Sequence, residues 1–408
     1  MSAPSPRIAF VAGNLSLGGA TTFLCNVAGE LVRLGVPVRV FCTESDHPLA
    51  ADFERQGIPV FRTDERRPVY EDRLADCVHA LRAFEPTLVA GCLSPPSFEI
   101  LRYVPPGILR VGMVQSDDPG VYRALGAYRE SLDAVVGVSK TIVARLQTME
   151  AFNGKQVVHI PYGVPMPSSI PPGSPSTGPL RICYLGRLNE DQKRVRLFPE
   201  IYRNLCESGI PFRWTLAGEG PERAYLEANM ADGRPDQVAL FVGQVDYTNV
   251  PSLLQDQDAL LLASTFEGLP LSLLEAMGHG VVPVVSDLES GISEVVNETN
   301  GLLVPVNEIA GYAAALVRLQ KNRAELAEKR FQARSSVFPA YSIAAMADRW
   351  LQLAAQTAQN TSQWPSPFKI MTPLGCETNW RFSLLGRSMR RIGASLVRCL
   401  RPRASGHQ

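Results

Sequence analysis

The residues with the clearest chemical potential are two glutamates, Glu267 and Glu275, which stand eight residues apart. A strand is predicted just before them, and the turn 268–270 leads into a helix predicted to begin near Leu271. Because the first amides of a helix and the positive end of its dipole attract anions, this turn suits a diphosphate. Glu275, one turn into the helix, could accept hydroxyl hydrogen bonds from an adjoining sugar. The alternative for an isolated pair is a capping loop and a surface glutamate, but the downstream Gly291-Ile292 favours the binding site.

A second candidate is the pair of cations Arg187 and Lys193, six residues apart in the segment YLGRLNEDQKR. Both follow a predicted strand that ends at Gly186. Two cations at a strand end could stabilise the negative charge that grows on a diphosphate leaving group. Since Arg194 and Arg196 follow, a solvated basic loop is an equally good interpretation of this segment alone.

Gly18 and Gly19 form the third candidate, between the first predicted strand and the first predicted helix. Without side chains they would let the backbone approach a ligand closely. The segment NLSLGGATTF does not match G-x-G-x-x-G, and the chain contains no G-x-x-x-x-G-K-[ST] phosphate loop. This signal is therefore weak when taken alone.

Composition limits the class of protein. The 408 residues include 40 Lys+Arg and 40 Asp+Glu, so net charge gives no reason to expect a nucleic-acid partner. No apolar run approaches the roughly 20 residues that span a bilayer, and the N-terminus does not resemble a signal peptide. The eight cysteines form no C-x-x-C pair and the five histidines lack metal-ligand spacing. We therefore expect a cytoplasmic protein without a bound metal.

The elements that must position these residues are short apolar strands alternating with amphipathic helices. Continuous apolar strands between helices are typical of a parallel sheet that is covered on both faces. The predicted strands are 7–13, 36–42, 87–91, 110–114, 134–139, 181–186, 214–218, 238–243, 259–264, 281–286 and 301–306.

The segment 161–179 interrupts this rhythm with seven prolines and three glycines, which predicts a linker. The fold class is therefore α/β, with two Rossmann-like, doubly wound parallel sheets facing across a cleft. Ligands of such sheets bind beyond the carboxyl ends of the strands. The predicted parts are a first Rossmann-like domain, the linker, a second Rossmann-like domain, a helix expected to pack back on the first domain, and a polar linker with a basic tail: residues 1–160, 161–179, 180–340, 341–356 and 357–408.

The basic tail, residues 381–403, contains seven arginines and no acidic residue. Apolar residues recur at helical spacing beside the arginines, as in a helix that lies on an anionic membrane surface. A disordered tail and a helix packed on the body are the alternatives. Reversible binding to the inner leaflet is the hypothesis that this segment supports.

Taken together, the motifs resemble the retaining glycosyltransferases of family 4, the "glycosyl transferases group 1" set, which have the GT-B fold. The resemblance runs from about Arg7 to Gln356. It implies that residues 1–160 are the acceptor-side domain and residues 180–340 the nucleotide-sugar-binding domain. Its motifs are GVSK (137–140), IPYGV (160–164), LGRL (185–188) with Lys193, AGEGPER (217–223), FVGQV (241–245), EGLPLSLLEAM (267–277) and GISEVV (291–296).

This resemblance implies roles for single residues. Arg187 and Lys193 match the pair that contacts the donor diphosphate, Glu267 matches the glutamate near the transferred sugar, and Glu275 matches the one that binds the ribose. Arg187, Lys193 and Glu267 are thus the implied catalytic residues. The implied donor-binding residues are Glu275, Gly18 and Gly19 of the glycine loop, and Gly268, Leu269, Pro270 and Leu271.

The resemblance also implies a reaction. The protein would move a sugar, with retention of configuration and without a metal or other cofactor, from a nucleotide-diphosphate-sugar to a glycan or lipid-linked acceptor. Cell-surface polysaccharide or glycolipid synthesis is the expected setting. The alternatives are a non-catalytic protein that binds sugar nucleotides and a sugar-nucleotide epimerase.

The sequence departs from the family pattern at three places. Thr21 and Thr22 stand where relatives often carry an acidic residue after the glycine pair. The run 115–118, Gln-Ser-Asp-Asp, stands where many relatives have a histidine, and Arg194 replaces the glycine that commonly follows the lysine. The first two departures lie on the acceptor side. They therefore affect the prediction of acceptor binding more than the prediction of donor binding.

Overall fold

The computed structural model describes most of the chain up to Gln356 and two later residues. The described residues are 5–16, 18–44, 47–64, 69–92, 94–169, 178–231 and 234–356, with Trp364 and Met371. The basic tail 381–403 lies outside them. No helix in the described part is both long and apolar enough to cross a bilayer.

The N-terminal half forms a parallel sheet of seven described strands in the order β3-β2-β1-β4-β5-β6-β7. The strands β1, β4 and β6 are fully buried between flanking helices, so their sequences are continuously apolar. The strands are β1 Ile8–Ala12, β2 Val38–Cys42, β3 Val60–Phe61, β4 Leu88–Cys92, β5 Leu109–Val114, β6 Ala134–Gly137 and β7 Gln156–His159. The helices are α1 Gly19–Arg33, α2 Ala50–Arg55, α3 Tyr70–Phe84, α4 Pro95–Leu101, α5 Pro119–Ala127 and α6 Lys140–Thr148.

The C-terminal half repeats this plan with six described parallel strands in the order β10-β9-β8-β11-β12-β13. The strands are β8 Leu180–Leu185, β9 Phe212–Ala217, β10 Gln237–Gly243, β11 Ala259–Leu262, β12 Val282–Ser286 and β13 Leu302–Val304. The helices are α7 Phe198–Glu207, α8 Arg223–Asn229, α9 Val250–Leu254, α10 Leu271–Gly278, α11 Gly291–Val295, α12 Ile309–Lys321, α13 Arg323–Val337 and α14 Ile343–Ala354. The predicted fold class, two doubly wound parallel sheets, is confirmed.

The last described helix, α14, returns to the N-terminal half. The Trp350 ring lies 5.1 Å from the Phe10 ring and 6.4 Å from the Phe23 ring. Near the linker, the Gly163 amide donates to Met346 Sδ at 3.1 Å, and the Asn26 amide donates to the Gly163 carbonyl at 3.0 Å. The chain therefore passes between the halves twice, once between β7 and β8 and again ahead of α14.

A third contact between the halves joins α6 to α11. The Glu294 carboxylate of α11 accepts a hydrogen bond of 3.1 Å from the Thr141 amide, in the first turn of α6. Ser139 caps the same helix through a 3.2 Å bond from the Ile142 amide. A carboxylate at a helix N-terminus is stabilised by the exposed amides and by the helix dipole. The GVSK and GISEVV motifs thus meet across the two halves.

Candidate active site

A cleft of about 570 Å³ lies between the carboxyl ends of the two sets of strands. The N-terminal wall is formed by loops after β1, β2, β4 and β5, and the C-terminal wall by loops after β8 and β11 and the start of α10. The structure brings all ten sequence-predicted site residues to this cleft, namely Gly18, Gly19, Arg187, Lys193, Glu267, Gly268, Leu269, Pro270, Leu271 and Glu275.

The cationic loop after β8 contacts the glutamate loop after β11 directly. Lys193 Nζ lies 2.5 Å from Glu267 Oε1, and both side chains are nearly buried, at 11% and 6% exposure. Gln192 Nε2 donates to the other carboxylate oxygen at 3.3 Å, and Arg187 donates to Gln192 Oε1 at 3.2 Å. Arg187 itself is exposed. The two predicted cations and the predicted glutamate therefore form one connected network.

The turn that follows Glu267 is held by the GISEVV segment. The Gly291 amide donates to the Gly268 carbonyl at 2.8 Å, and a side chain at Gly291 would collide with that carbonyl. Pro270 precedes α10 with extended backbone angles, and the Leu273 and Leu274 amides both donate to its carbonyl. The start of α10 is therefore fixed against the cleft, where its amides and dipole can attract an anion.

The glycine loop lies on the opposite wall. Gly18 has φ 158° and ψ 168°, a conformation that residues with side chains rarely adopt. The Thr21 hydroxyl donates to the Ser16 carbonyl and the Thr22 hydroxyl to the Gly18 carbonyl. The two threonines that replace the usual acidic residue thus brace the loop instead of adding charge to the cleft.

The two walls touch at Gly268. A methyl carbon built there would lie 2.5 Å from the Gln115 carbonyl oxygen and 3.2 Å from Ser116 Cα, both in the N-terminal half. One built at Gly19 would lie 3.4 Å from Leu271 Cδ1 of the C-terminal half. Since real Cβ atoms essentially never lie within 3.0 Å of another heavy atom of this kind, the closed arrangement of the halves requires glycine at position 268.

Glu275 is the most perturbed acid of the cleft. It is 9% exposed, and burial raises its pKa to about 7. His279, at the end of the same helix, donates from Nδ1 to the Glu275 carbonyl oxygen at 2.8 Å, and it is not one of the cleft-lining residues. Glu275 is therefore an acid of the cleft whose charge changes near neutral pH.

We expect Glu275→Gln to stabilise the protein above pH 7. The raised pKa means that the folded chain keeps a proton which the unfolded chain loses near pH 4.5, so this stability is present at low pH and is lost as pH rises towards 7. The difference approaches about 3 kcal/mol at pH 8. Thermal unfolding from pH 5 to 8 should show a smaller decline for Glu275→Gln than for the wild type. The exposed Glu289→Gln is the control, and equal declines in all three proteins would contradict the assignment.

Sequence reasoning did not assign several polar residues of the cleft to the site, among them Gln192, Glu44, Ser94 and Tyr162. Gln192 stands beside Lys193, and its position between the two cations is a local signal that could have identified it. Glu44, Ser94 and Tyr162 reach the cleft from three separate segments. No spacing in the sequence marks them, because only the sheet order brings their strand ends together.

Two family models match the chain, one in each half. The model described as "Glycosyltransferase Family 4" matches residues 17–166. The model described as "Glycosyl transferases group 1" matches residues 179–322.

Curated relatives match over part of their length. The chain is 34% identical over 215 residues to the protein of Escherichia coli (strain K12) named "Putative colanic acid biosynthesis glycosyltransferase WcaL", covering 50% of this chain and 52% of the relative. It is 34% identical over 166 residues to the amylovoran biosynthesis glycosyltransferase AmsK of Erwinia amylovora, covering 39% and 40%. The matched regions thus span about half of these relatives or less.

Solved structures share the fold along almost their whole length. A TarM mutant of S. aureus, in complex with Fondaparinux, alpha-GlcNAc-glycerol and UDP, has a TM-score of 0.70 at 14% identity, covering 85% of this chain and 99% of that one. Alr3699/HepE of Anabaena, in complex with UDP and glucose, has a TM-score of 0.69 at 16% identity, covering 86% and 100%. At these identities the likeness concerns the fold alone.

Proposed function

Because its two halves belong to the family 4 and group 1 glycosyltransferases, we propose that this protein transfers a sugar from a nucleotide-diphosphate-sugar to a glycan or lipid-linked acceptor. The relatives named for colanic acid and amylovoran biosynthesis support a role in making cell-surface polysaccharide or glycolipid. The observation that carries the proposal is the convergence of Arg187, Lys193, Glu267 and the start of α10 on one cleft between two sheets.

In the proposed reaction the donor diphosphate lies between Arg187 and Lys193 and faces the first turn of α10. These cations and amides stabilise the charge that develops on the leaving diphosphate as the glycosidic bond breaks. Glu267, held through Lys193 and Gln192, orients the transferred sugar by accepting a hydroxyl hydrogen bond. Glu275 binds the ribose hydroxyls. The acceptor oxygen forms the new bond to the sugar as the bond to the diphosphate breaks, and the acceptor proton passes to the leaving diphosphate. The enzyme thus contributes position and charge stabilisation, and the sugar keeps its anomeric configuration.

Two measurements test this proposal. Thermal stabilisation by a panel of UDP-, GDP- and ADP-sugars should identify the donor, since a ligand that binds only the folded state raises the melting temperature. With that donor, release of nucleoside diphosphate should depend on an added acceptor, and the product should have the anomeric configuration of the donor by NMR. Release without acceptor, or no release at all, would favour an epimerase or a non-catalytic binding protein.

We also propose that transfer needs no metal ion. Arg187 and Lys193 supply two positive charges for the diphosphate, and no three His, Cys, Asp or Glu residues in the described segments are grouped to hold a metal. EDTA removes protein-bound metal ions. The initial rate measured with EDTA in large excess over the protein should therefore equal the rate without it. A loss that returns on adding Mg²⁺ or Mn²⁺ would contradict this proposal.

The tail 381–403 is proposed to bind the anionic inner face of a membrane. Each Lys or Arg near such a surface contributes about 1 kcal/mol at low ionic strength, so seven arginines give strong, salt-dependent binding. After sedimentation with phosphatidylglycerol vesicles, the full chain should be found in the pellet with the vesicles. A chain that ends at Gln363 should stay in the supernatant. Equal association of both chains would overturn the proposal.

A further inference from the structure

The N-terminal wall of the cleft carries polar side chains that the proposed donor chemistry does not use. They follow four strands that are neighbours in the sheet, in the order β2-β1-β4-β5. Because parallel strands end at the same edge, these side chains gather at one place beside the donor-binding wall. They are Glu44 after β2, Asn14 after β1, Ser94 after β4 and Gln115 after β5.

Glu44 is oriented by Asn14. The Asn14 amide nitrogen donates to Glu44 Oε2 at 2.9 Å, and the Asn14 amide oxygen accepts from the Ser16 hydroxyl at 2.8 Å. The other carboxylate oxygen, Oε1, points over Gly13, because a methyl carbon built there would lie 2.8 Å from it. The same carbon would lie 3.1 Å from Ser94 Oγ. A carboxylate oxygen and a hydroxyl thus converge above a residue that has no side chain.

The Ser94 hydroxyl is unsatisfied for a reason visible in the sequence. Ser94 stands at the cap position of α4, where a serine normally accepts a hydrogen bond from an amide in the first turn. Pro95 and Pro96 occupy the first two positions and have no amide hydrogen. Ser94 Oγ is buried and makes no hydrogen bond within the described residues. The hydroxyl is therefore left for a partner in the cleft.

The Gln115 side chain is also unsatisfied. It is 6% exposed, and neither Nε2 nor Oε1 makes a hydrogen bond within the described segments. Burial raises the pKa of Tyr162, and a hydrogen-bonding interaction with the Gln115 side chain opposes that shift, although no bond of full hydrogen-bond geometry joins the two groups. A buried polar group without a partner costs about 1–3 kcal/mol, and such groups are uncommon in native structures. Two of them beside one cleft point to a ligand that supplies the missing hydrogen bonds.

The charge of this wall defines the ligand further. Among the described cleft-lining residues of the N-terminal half, Glu44 is the only charged one, whereas both lining cations, Arg187 and Lys193, belong to the C-terminal half. An anionic group placed here would meet a carboxylate without a compensating cation, which costs several kcal/mol at about 4 Å. The hydroxyl groups of a neutral sugar would fit instead, because one can donate to Glu44 while another donates to Gln115 Oε1 or accepts from Gln115 Nε2.

We propose that Glu44, Ser94 and Gln115 form the acceptor subsite, which binds the hydroxyls of a neutral sugar ring and excludes acceptors with an anionic reacting end. This inference rests on the proposed function and extends it to the class of acceptor. The end of the acceptor that receives the sugar is therefore an uncharged glycoside. A sugar phosphate or a uronic acid does not fit.

The test compares neutral methyl glycosides of glucose, galactose and mannose with glucuronic and galacturonic acid, in the presence of the donor chosen by thermal stabilisation. We expect kcat/KM to be at least tenfold higher for the best neutral glycoside. Glu44→Gln should reduce that preference at least tenfold, because a neutral amide no longer repels the uronates. Ser94→Ala and Gln115→Met should raise the acceptor KM several-fold and leave donor affinity unchanged.

Glu54→Gln is the matched control, since Glu54 is an exposed carboxylate of the same half that pairs with Arg62. Its acceptor preference should equal that of the wild type. Three results would each overturn the inference and leave donor binding intact. They are equal use of uronates and neutral glycosides, an acceptor preference that Glu44→Gln does not change, and no transfer to any neutral glycoside by a protein that the donor stabilises. Failure of every nucleotide sugar to stabilise the protein would instead refute the proposed function.

Discussion

Lys193→Met is expected to lower kcat/KM for sugar transfer by about 10²- to 10³-fold, the loss typical of removing one charge-stabilising group from a preorganised site. In the proposed function Lys193 neutralises charge on the leaving diphosphate, and its ion pair with Glu267 holds it at the cleft. Initial rates over a range of donor concentrations measure the effect. The loss should be mainly in kcat, because the charge that Lys193 stabilises is greatest in the transition state.

The same substitution should also destabilise the fold, which must be separated from the kinetic effect. Without Lys193 the nearly buried Glu267 loses its cation, a change that costs about 3–5 kcal/mol in buried pairs. The double variant Lys193→Met/Glu267→Gln removes both charges, so it should recover most of the stability and stay inactive. Thermal unfolding and rates measured on the same samples distinguish the two effects.

Arg196→Met is the matched control for Lys193. Arg196 lies three residues away, is 56% exposed and pairs with Glu222 outside the cleft. Exposed ion pairs contribute about 1 kcal/mol or less, so this variant should keep wild-type rates and stability. A Lys193→Met enzyme as active as Arg196→Met would refute the assignment of Lys193 to the diphosphate.

Gly268→Ala is expected to reduce transfer by about 10²-fold, the scale of loss that follows a small misplacement of reacting groups. The added methyl carbon would lie 2.5 Å from the Gln115 carbonyl oxygen of the opposite half. Gly268 does not have a positive φ, so alanine fits its backbone and the collision arises only across the cleft. The halves should therefore separate, while each half still folds.

Donor affinity and shape distinguish this explanation from a general loss of structure. The donor groups belong mainly to the C-terminal half, so the Kd for the donor should change less than the rate of transfer. Small-angle scattering should give a larger radius of gyration for Gly268→Ala. In the control Gly29→Ala, within α1, the new carbon would make an ordinary contact of 3.7 Å with Ile58. Unchanged transfer in Gly268→Ala would show that closure at this point is not required.

The local sequence pattern was sufficient to predict most of the buried strands. Buried strands such as Ile8–Ala12 and Ala259–Leu262 are continuous apolar runs bounded by loop residues, so the run alone predicts them. The two-residue strand Val60–Phe61 at the sheet edge was not predicted, because so short a run has no periodicity. The donor-side residues were also predicted, since Arg187, Lys193, Glu267 and Glu275 lie in contiguous motifs beside strand ends.

The sequence by itself determined the two α/β halves and the donor-side motifs, because strand burial, helix periodicity and loop composition are properties of neighbouring residues. Only the tertiary structure decided which loops face one another. The Lys193–Glu267 pair joins residues 74 positions apart, and Gly268 meets Gln115 across two separate sheets. Sheet order likewise gathers Glu44, Ser94 and Gln115 at one edge. Such contacts depend on how the two halves pack, and no local spacing encodes that packing.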